Sequence, residues 1–515
     1  MSSHNIDEDK ESGHSSRTSS IQQRAGDEEK QQDHPTGSTD QSITDPNIID
    51  WDGPNDPENP MNWTEKKKWT NIGLMSFITL VTPLASSMLG PGIPNILADF
   101  DIHSNILASF VLSIYVLGFA VGPMIIAPMS EMYGRVLLYH IGNIGFFFCT
   151  LACALSNSIG MLMAFRLLAG LFGSAALTLG GGSVADLMPR EKRGGAMAIW
   201  AMGPLMGPVI GPVGGGFLIE AAGWRWVFWL LTIATSVVTI VCFLFLRETY
   251  APIILSHKVA RLRKETNNPD LRSALAPENP LPPRALFLHS ILRPLQMLTR
   301  SLIIFLMALY ASVIYGLLYL LFTTFTFVFE GAYGFSSGTV GLTYLGIGVG
   351  MLFGLVFMGF MSDRVIKRAM QRGETLTPEH RLPLWLVVPP ALLLPVGLLI
   401  YGWTTEYAES VHWIVPMLGT ALFGFGMISL MSCNQTYLVD AFTTHAASVM
   451  AALTLLRSLF GAFLPLAGLD MYDALGLGWG NSLLAFIALA MVPVPVVFSL
   501  FGERIRNSSV GKAEF

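Results

Sequence analysis

Charge is scarce in this chain, and most of it sits at the ends of long apolar runs. Asp, Glu, Lys and Arg make up 13% of the 515 residues, against 52% hydrophobic ones, a balance that excludes a soluble globular protein of this length. Cysteine is also rare. Cys149, Cys153, Cys242 and Cys433 all fall inside apolar runs, so no disulfide framework is implied. There is no Gly-x-x-x-x-Gly-Lys-Ser/Thr loop, which argues against direct driving by ATP. Metal-ligand clusters and catalytic triads are missing too, so the sequence predicts no enzyme, no metal and no cofactor. The net charge of −5 is spread over tails and loops and gives no reason to expect nucleic acid as a partner. A carboxylate deep inside an apolar run is absent as well: Glu131, Asp186, Glu330 and Asp440 all lie near run ends. Residues 1 to about 50 are polar throughout, so no cleavable signal peptide is expected and the first apolar run is read as the targeting signal.

What the chain has in quantity is apolar runs of about 20 residues, the length a helix needs to cross roughly 30 Å of hydrocarbon. About twelve are placed, near 70–92, 107–128, 136–156, 161–184, 196–219 and 224–246, then 301–328, 339–361, 383–402, 411–433, 446–468 and 480–501. The sequence therefore predicts an all-α integral membrane protein of two pseudosymmetric six-helix bundles. Residues 61–246 and 301–502 form the bundles and 247–300 a cytoplasmic central loop; 1–60 is a disordered cytoplasmic tail and 503–515 a second tail.

Cations mark one side: Lys66 to Lys68, Arg135, Arg190, Lys192, Arg193, Arg261, Arg263, Lys264, Arg272, Arg364, Lys367, Arg368, Arg372, Arg504 and Arg506. Asp99, Asp101, Glu330, Glu406, Glu409, Asp470 and Asp473 mark the other, with Arg225. By the positive-inside rule both termini and the central loop are cytoplasmic. The acceptor patterns at Asn62, Asn434 and Asn507 then lie in the cytosol or in a span, and none is expected to carry glycan. An internal repeat supports two fused halves: Met129-Ser130-Glu131 near the end of the second run is matched by Met361-Ser362-Asp363 in the eighth.

The run from Gly203 to Gly216 organises the rest. Gly203, Gly207, Gly211 and Gly215 recur every fourth residue, with Pro204, Pro208 and Pro212 beside them. On a helix they form adjacent stripes. In water each interior proline costs about 3 kcal/mol; in hydrocarbon the backbone has no other partner and stays helical, while the glycine groove admits a second helix. Tight packing and a conformational role are both open. Ile219 is expected to face lipid.

This run resembles the antiporter motif of the fifth span in drug:proton antiporters of the major facilitator superfamily. Glu131, Gly134 and Arg135 resemble that superfamily's loop between spans two and three, with Ala127, Glu131 and Met132 replacing the usual Gly, Asp and Arg. Arg166 with Gly170 is similar to the span-four motif associated with proton coupling; a snorkelling arginine is the alternative. The segments 51–63, 224–228 and 247–252 resemble fungal members, and the likeness extends from Trp51 to Arg506.

The resemblance implies a central cavity, for which the candidates are Thr79 and Ser86 in span one, Arg166, Ser312, Tyr315, Tyr319 and Phe322 on one face of span seven, and Asn434 and Gln435 in span ten. Aromatic stripes also serve simple packing. Coupling and gating candidates are Glu131, Gly134, Arg135, Arg166, Asp186, the Gly-Pro run, Asp363, Asp440 and Arg457, the last either a structural partner of Asp440 or part of the transport path. The implied function is export of a small amphipathic organic compound (drug, toxin, polyamine or secondary metabolite) in exchange for protons. The protein is expected as a monomer in a lipid bilayer, the plasma membrane or the vacuolar one. A metabolite importer or facilitator of the same fold and a transport-inactive receptor are the alternatives.

Overall fold

A computed structural model describes residues 47–276, 282–373 and 377–507. The tails expected before residue 47 and after 507 lie outside the described residues. The described residues are mostly helical. In order come α1 (Glu65–Ser87), α2 (Ile93–Asp99), α3 (Asn105–Tyr133), α4 (Arg135–Ala154), α5 (Ile159–Leu187), α6 (Arg190–Ala222), α7 (Arg225–Phe245) and α8 (Ala251–Thr266). There follow α9 (Pro283–Arg300), α10 (Leu302–Tyr333), α11 (Ser337–Gln371), α12 (Leu384–Glu406), α13 (Ile414–Ala441), α14 (Ala446–Phe463), α15 (Gly468–Met491) and α16 (Pro493–Asn507).

Eleven stretches of the described residues are long and apolar enough to span a bilayer, but the last, Ala446–Arg506, has 61 residues. At 1.5 Å per residue a straight helix of that size would measure about 90 Å, three times the hydrocarbon thickness. It turns back at Gly476, whose φ of 77° and ψ of 170° break the helix. Glu406 accepts from the N–H groups of Leu477 (2.7 Å) and Gly478 (3.1 Å), satisfying donors that the break exposes. The stretch thus supplies the eleventh and twelfth crossings. The outer faces stay greasy: on α7 the side chains of Ile233, Val237 and Ile240 are more than half exposed, as a lipid-facing surface requires.

Each half repeats one local device at the face that carries the ends of α1 and α16, here the terminal face. In the first half Arg135 donates from Nη1 to Ser130 Oγ (2.6 Å) and pairs through Nε with Asp186 (3.5 Å). In the second, Arg381 donates to Ser362 Oγ (3.2 Å) and to Asp440 (2.7 Å). The sequence repeat at Ser130 and Ser362 is therefore one corner of a Ser-Arg-Asp cluster built twice.

Residues 49–63, of which those up to 60 were assigned to the tail by composition, instead fold into a hook against α8. Its centre is Asp56, buried with Lys258, whose Nζ lies 3.3 Å from Asp56 and 2.8 Å from Asp52. Asn62 donates to the carbonyls of Pro54 and Asp56. Composition misses this because a few ion pairs and turn hydrogen bonds, rather than apolar bulk, hold the segment. Burial alone would raise the Asp56 carboxyl, but the N–H groups of Asp52 and Glu58 and the Lys258 ammonium outweigh it and hold the carboxyl below its ordinary value. Burial would lower Lys258, yet Asp52 and Asp56 push it above the ordinary lysine value. The carboxylate's contribution is present above about pH 4 and drains as pH falls through the depressed value; the ammonium's is present below about pH 10 and drains as pH rises through the raised one. Between these limits the hook is expected to resist limited proteolysis. Lys258→Met leaves Asp56 buried and unpaired, and cleavage within 49–63 should be at least tenfold faster. Equal cleavage of variant and parent would remove the ion pair from this account.

Candidate functional site

α6 is wedged between two neighbours, and its glycines decide the spacing on both sides. Against α1, a Cβ on Gly203 would lie 2.9 Å from Ser76 O, on Gly207 2.8 Å from Leu84 N, and on Gly211 2.9 Å from Leu84 O; on Gly215 it would overlap Met88 O. Only a hydrogen at these positions allows the two backbones to touch. Pro212 lacks the N–H that would bond the carbonyl of Pro208, and Ser87 Oγ of α1 donates to that carbonyl instead (3.2 Å). The proline that weakens α6 thereby ties it to α1. On its other side the same helix crosses to the second half: a Cβ on Gly216 would strike Ser337 O of α11, and one on Gly341 of α11 would strike Pro212 O. Ile219 is not on a lipid face; it is buried against Gly92, because α6 has neighbours on both flanks.

At the centre stands Arg166, 1% exposed. It does not snorkel. Nη2 donates to the carbonyls of Ser86 and Leu112, both at 3.3 Å, and the guanidinium lies 5.4 Å from the ring of Tyr115 and 6.0 Å from that of Phe228. Ser86 is the penultimate residue of α1, which stops at Ser87 before the turn Gly90–Gly92. The last carbonyls of a helix lack intrahelical donors and carry its partial negative charge, so the broken first span offers Arg166 the end of a dipole where a carboxylate would be expected. Gly170 explains the spacing of its motif: a Cβ there would overlap Tyr115 O, so glycine lets α5 close on α3. Tyr115 in turn donates to Thr82 O (2.8 Å). No sequence pattern singles out Tyr115 within its apolar span, and Phe228 lies in the 224–228 segment, whose family likeness assigned it no role.

From Ser86 the site continues into the second half. Its hydroxyl lies 3.4 Å from that of Tyr319, the rings of Tyr319 and Tyr315 are 5.0 Å apart, and the guanidinium of Arg457 lies 5.2 Å from the Tyr315 ring. Phe322 packs between Tyr319 and Tyr344. The structure thus gathers Ser86, Arg166, Tyr315, Tyr319, Phe322 and Arg457 in one cluster. Arg457 does not pair with Asp440, which is occupied by Arg381 from the turn just before α12.

Other candidates are placed elsewhere. Thr79 donates to Met75 O and accepts from Trp200 Nε1 (3.1 Å) within the first half. Ser312 is buried and donates to Ala308 O of its own helix. Asn434 donates to Met307 O (2.8 Å), tying α13 to α10. Gln435 is half-buried. The side chain of Asp363 lies outside the described residues.

At the terminal face Glu131 is exposed, and the carboxylate that organises this corner is Glu248. It accepts from the N–H groups of Arg135 and Val136 (both 3.0 Å) at the start of α4, where negative charge is favoured. Gly134 has a φ of 92°, which a side chain resists, and a Cβ there would meet Glu248. Arg135 also stacks on Tyr250, 4.7 Å from the ring. Glu248 lies in the 247–252 segment whose family likeness was legible, although no role followed from it.

Polar contacts between the halves concentrate at the opposite, distal face. Asn105 donates to Asp470 (2.9 Å) and Asp473 (2.8 Å). Glu220 accepts from Ser336 (3.2 Å) and from Gly338 N (3.0 Å), and Thr326 donates to Gly90 O (2.9 Å). The ion pairs of the terminal face, Arg135 with Asp186, Lys192 with Glu65, Arg381 with Asp440 and Arg506 with Glu379, each stay within one half.

Two six-helix halves packed around a buried polar and aromatic cluster at their junction have the architecture of a membrane transporter for small molecules. The comparisons agree. The sequence matches the Major Facilitator Superfamily over residues 75–465, and the chain belongs to that family. It is 54% identical over 472 residues to the MFS-type transporter penM of Penicillium rubens, covering 92% of each chain. It is 51% identical over 466 residues to the efflux pump radE of Floropilus chiversii, covering 90% of this chain and 85% of that one. Among solved structures, a bacterial homologue of the human lysosomal transporter Spinster superposes with a TM-score of 0.62 at 14% identity, over 86% of this chain and 98% of that one. The xylose transporter XylE of E. coli gives 0.61 at 14% identity, over 87% and 100%.

Proposed function

We propose that the chain exports small amphipathic organic compounds in exchange for protons, by alternately opening the Arg166–Tyr319–Arg457 cluster to the two sides of the plasma membrane. The observation that carries this reading is the α6 seam. A helix that touches α1 through glycine backbone on one flank and α11 of the other half on the second flank offers a smooth contact along which the halves pivot. The distal contacts hold that side closed, and the basic residues at the terminal face support its assignment to the cytosol. Export as the direction has support from the relative radE, an efflux pump.

Proton coupling is assigned to Arg166 with the terminal-face carboxylates Asp186 and Asp440, whose arginine partners can be exchanged between states. In cells expressing the protein, collapse of the proton gradient with an uncoupler is expected to raise retention of a labelled amphipathic compound several-fold; cells lacking it should show no change. Equal retention with and without uncoupler in the expressing cells would refute antiport.

A further inference from the structure

We infer that the cargo is an organic anion, an aromatic or otherwise flat compound carrying a carboxylate or a comparably acidic group, held between Arg457 and Arg166 with its ring against Tyr315. The inference deepens the export reading and rests on it.

Two guanidinium groups stand at the junction of the halves, and among the described residues neither has a carboxylate within ion-pair distance. Arg166 has only the carbonyls of Ser86 and Leu112, and its Nε is buried without a partner. Among the described residues Arg457 makes no hydrogen bond; its Nε is likewise buried and unpartnered, and its guanidinium lies against the face of Tyr315. Elsewhere in the chain the arrangement is different. Arg135, Arg225, Arg381 and Arg506 each meet an acidic side chain. A buried unpaired cation is costly; Arg193 in the first turn of α6 and Arg293 in α9 also carry a buried, unpartnered Nε, but they stand outside the cluster, whereas Arg166 and Arg457 lie well inside their spans with their guanidinium groups against Tyr115 and Tyr315. An anion arriving with the cargo would satisfy both.

The geometry fits such a ligand. Arg457 lies eleven residues into α14 from its terminal-face end, about 16 Å deep at 1.5 Å per residue, and it is half-buried, as is Tyr315. Tyr319 and Arg166 lie beyond them and are fully buried. A compound entering from the terminal face therefore meets Arg457 and Tyr315 first, with the field of Arg166 behind them. A guanidinium holds a carboxylate through two parallel N–H donors, and in a water-poor site each such bond is stronger than in solvent. The Tyr315 ring, already sandwiched on one side by Arg457, offers an edge and face for a flat apolar body. A cationic cargo would face two like charges with no carboxylate in the cluster to offset them.

Three probes of one shape separate the possibilities: radiolabelled 2-naphthoate, 2-naphthamide and 2-naphthylmethylamine, measured by equilibrium binding to the purified full-length protein at pH 7.4 and by flux in proteoliposomes. The acid is expected to bind at least roughly tenfold more tightly than the amide, with the amine weakest. Arg457→Gln should bring the acid to within about twofold of the amide, with a monodisperse elution profile and a parental melting temperature reporting that the variant is folded; Arg457→Lys should keep part of the preference. Should Arg457→Gln fail to fold, the ranking of the three probes on the parent protein decides. Amide or amine binding as tight as the acid, no binding of the acid, or a preference that survives Arg457→Gln would each overturn the inference. Flux of the amine with no preference for the acid would overturn it and leave the export reading standing. Acid binding that depends on Arg457, with no flux of any probe under an imposed pH gradient, would uphold the inference and sink the export reading.

Discussion

Gly207→Val is expected to reach the membrane at near-parental abundance and to transport at less than about a tenth of the parental rate. Valine is apolar, and insertion reads hydropathy, so synthesis and topology should be unaffected. The defect comes from contact. Even a single methyl at this position would lie 2.8 Å from Leu84 N and 3.0 Å from Leu80 O, both backbone atoms that cannot rotate away. The branched side chain must push α6 from α1, which costs on the order of 1–3 kcal/mol for an overpacked contact and forfeits packing that lipid does not replace. The displacement also loosens the bond from Ser87 to Pro208 O. A matched control lies three residues away: Ile210 is half exposed, and Ile210→Val should be nearly silent. Surface labelling and transport rate measured on both variants distinguish a moving seam from a generally apolar helix. Parental transport by Gly207→Val at equal abundance would mean that the seam does not need to be tight.

Arg166→Lys should likewise be abundant at the surface and lose at least about tenfold in transport. The substitution keeps the charge, so a role as a bare cation predicts little effect. The ammonium has no planar fork, however. It cannot keep the positions that guanidinium holds toward Ser86 O, Leu112 O and the Tyr115 ring together. Insertion costs for Arg and Lys at helix centres are similar, about 2.5–3.5 kcal/mol, so a difference in transport at equal abundance is read as a difference in geometry. Full activity in Arg166→Lys would reduce this residue to a point charge.

Which parts of this were legible in the sequence follows from the range of the forces involved. The spans and the division into halves rest on hydropathy over about 20 residues, a local property, and they emerged. The glycine stripe of α6 emerged because a four-residue period is visible in one dimension. Its partners did not: the period cannot tell that α1 fills one flank and α11 the other, and Ile219 was assigned to lipid for that reason. Charge pairing was harder still. Arg457 and Asp440 are close in sequence and on adjacent spans, yet Asp440 is taken by Arg381, 59 residues before it. Likewise Glu131 stands in the familiar loop position, while the carboxylate that caps α4 is Glu248, 113 residues after Arg135. A long-range pair leaves no periodic trace. The central cluster was half legible: Ser86, Tyr315, Tyr319 and Phe322 follow from stripes of polar or aromatic side chains, whereas Thr79 shares the stripe of Ser86 and turns out to serve Trp200. The hook at 49–63 was missed because a compact turn stabilised by Asp56 and Lys258 has the composition of a flexible tail.

Alternating access requires the halves to separate at the distal face during each transport cycle. Glu220 and Ser336 sit on opposite halves there, with Ser336 Oγ 3.2 Å from Glu220 Oε2, and the four native cysteines are buried. A Glu220→Cys, Ser336→Cys double variant can therefore be locked by a thiol crosslinker and released by reduction if the linker is cleavable. Transport of the labelled compound identified in the retention assay is the measurement. The account predicts that crosslinking abolishes it and that reduction restores it, with either single variant insensitive to the same reagents. Undiminished transport by the crosslinked protein would contradict it.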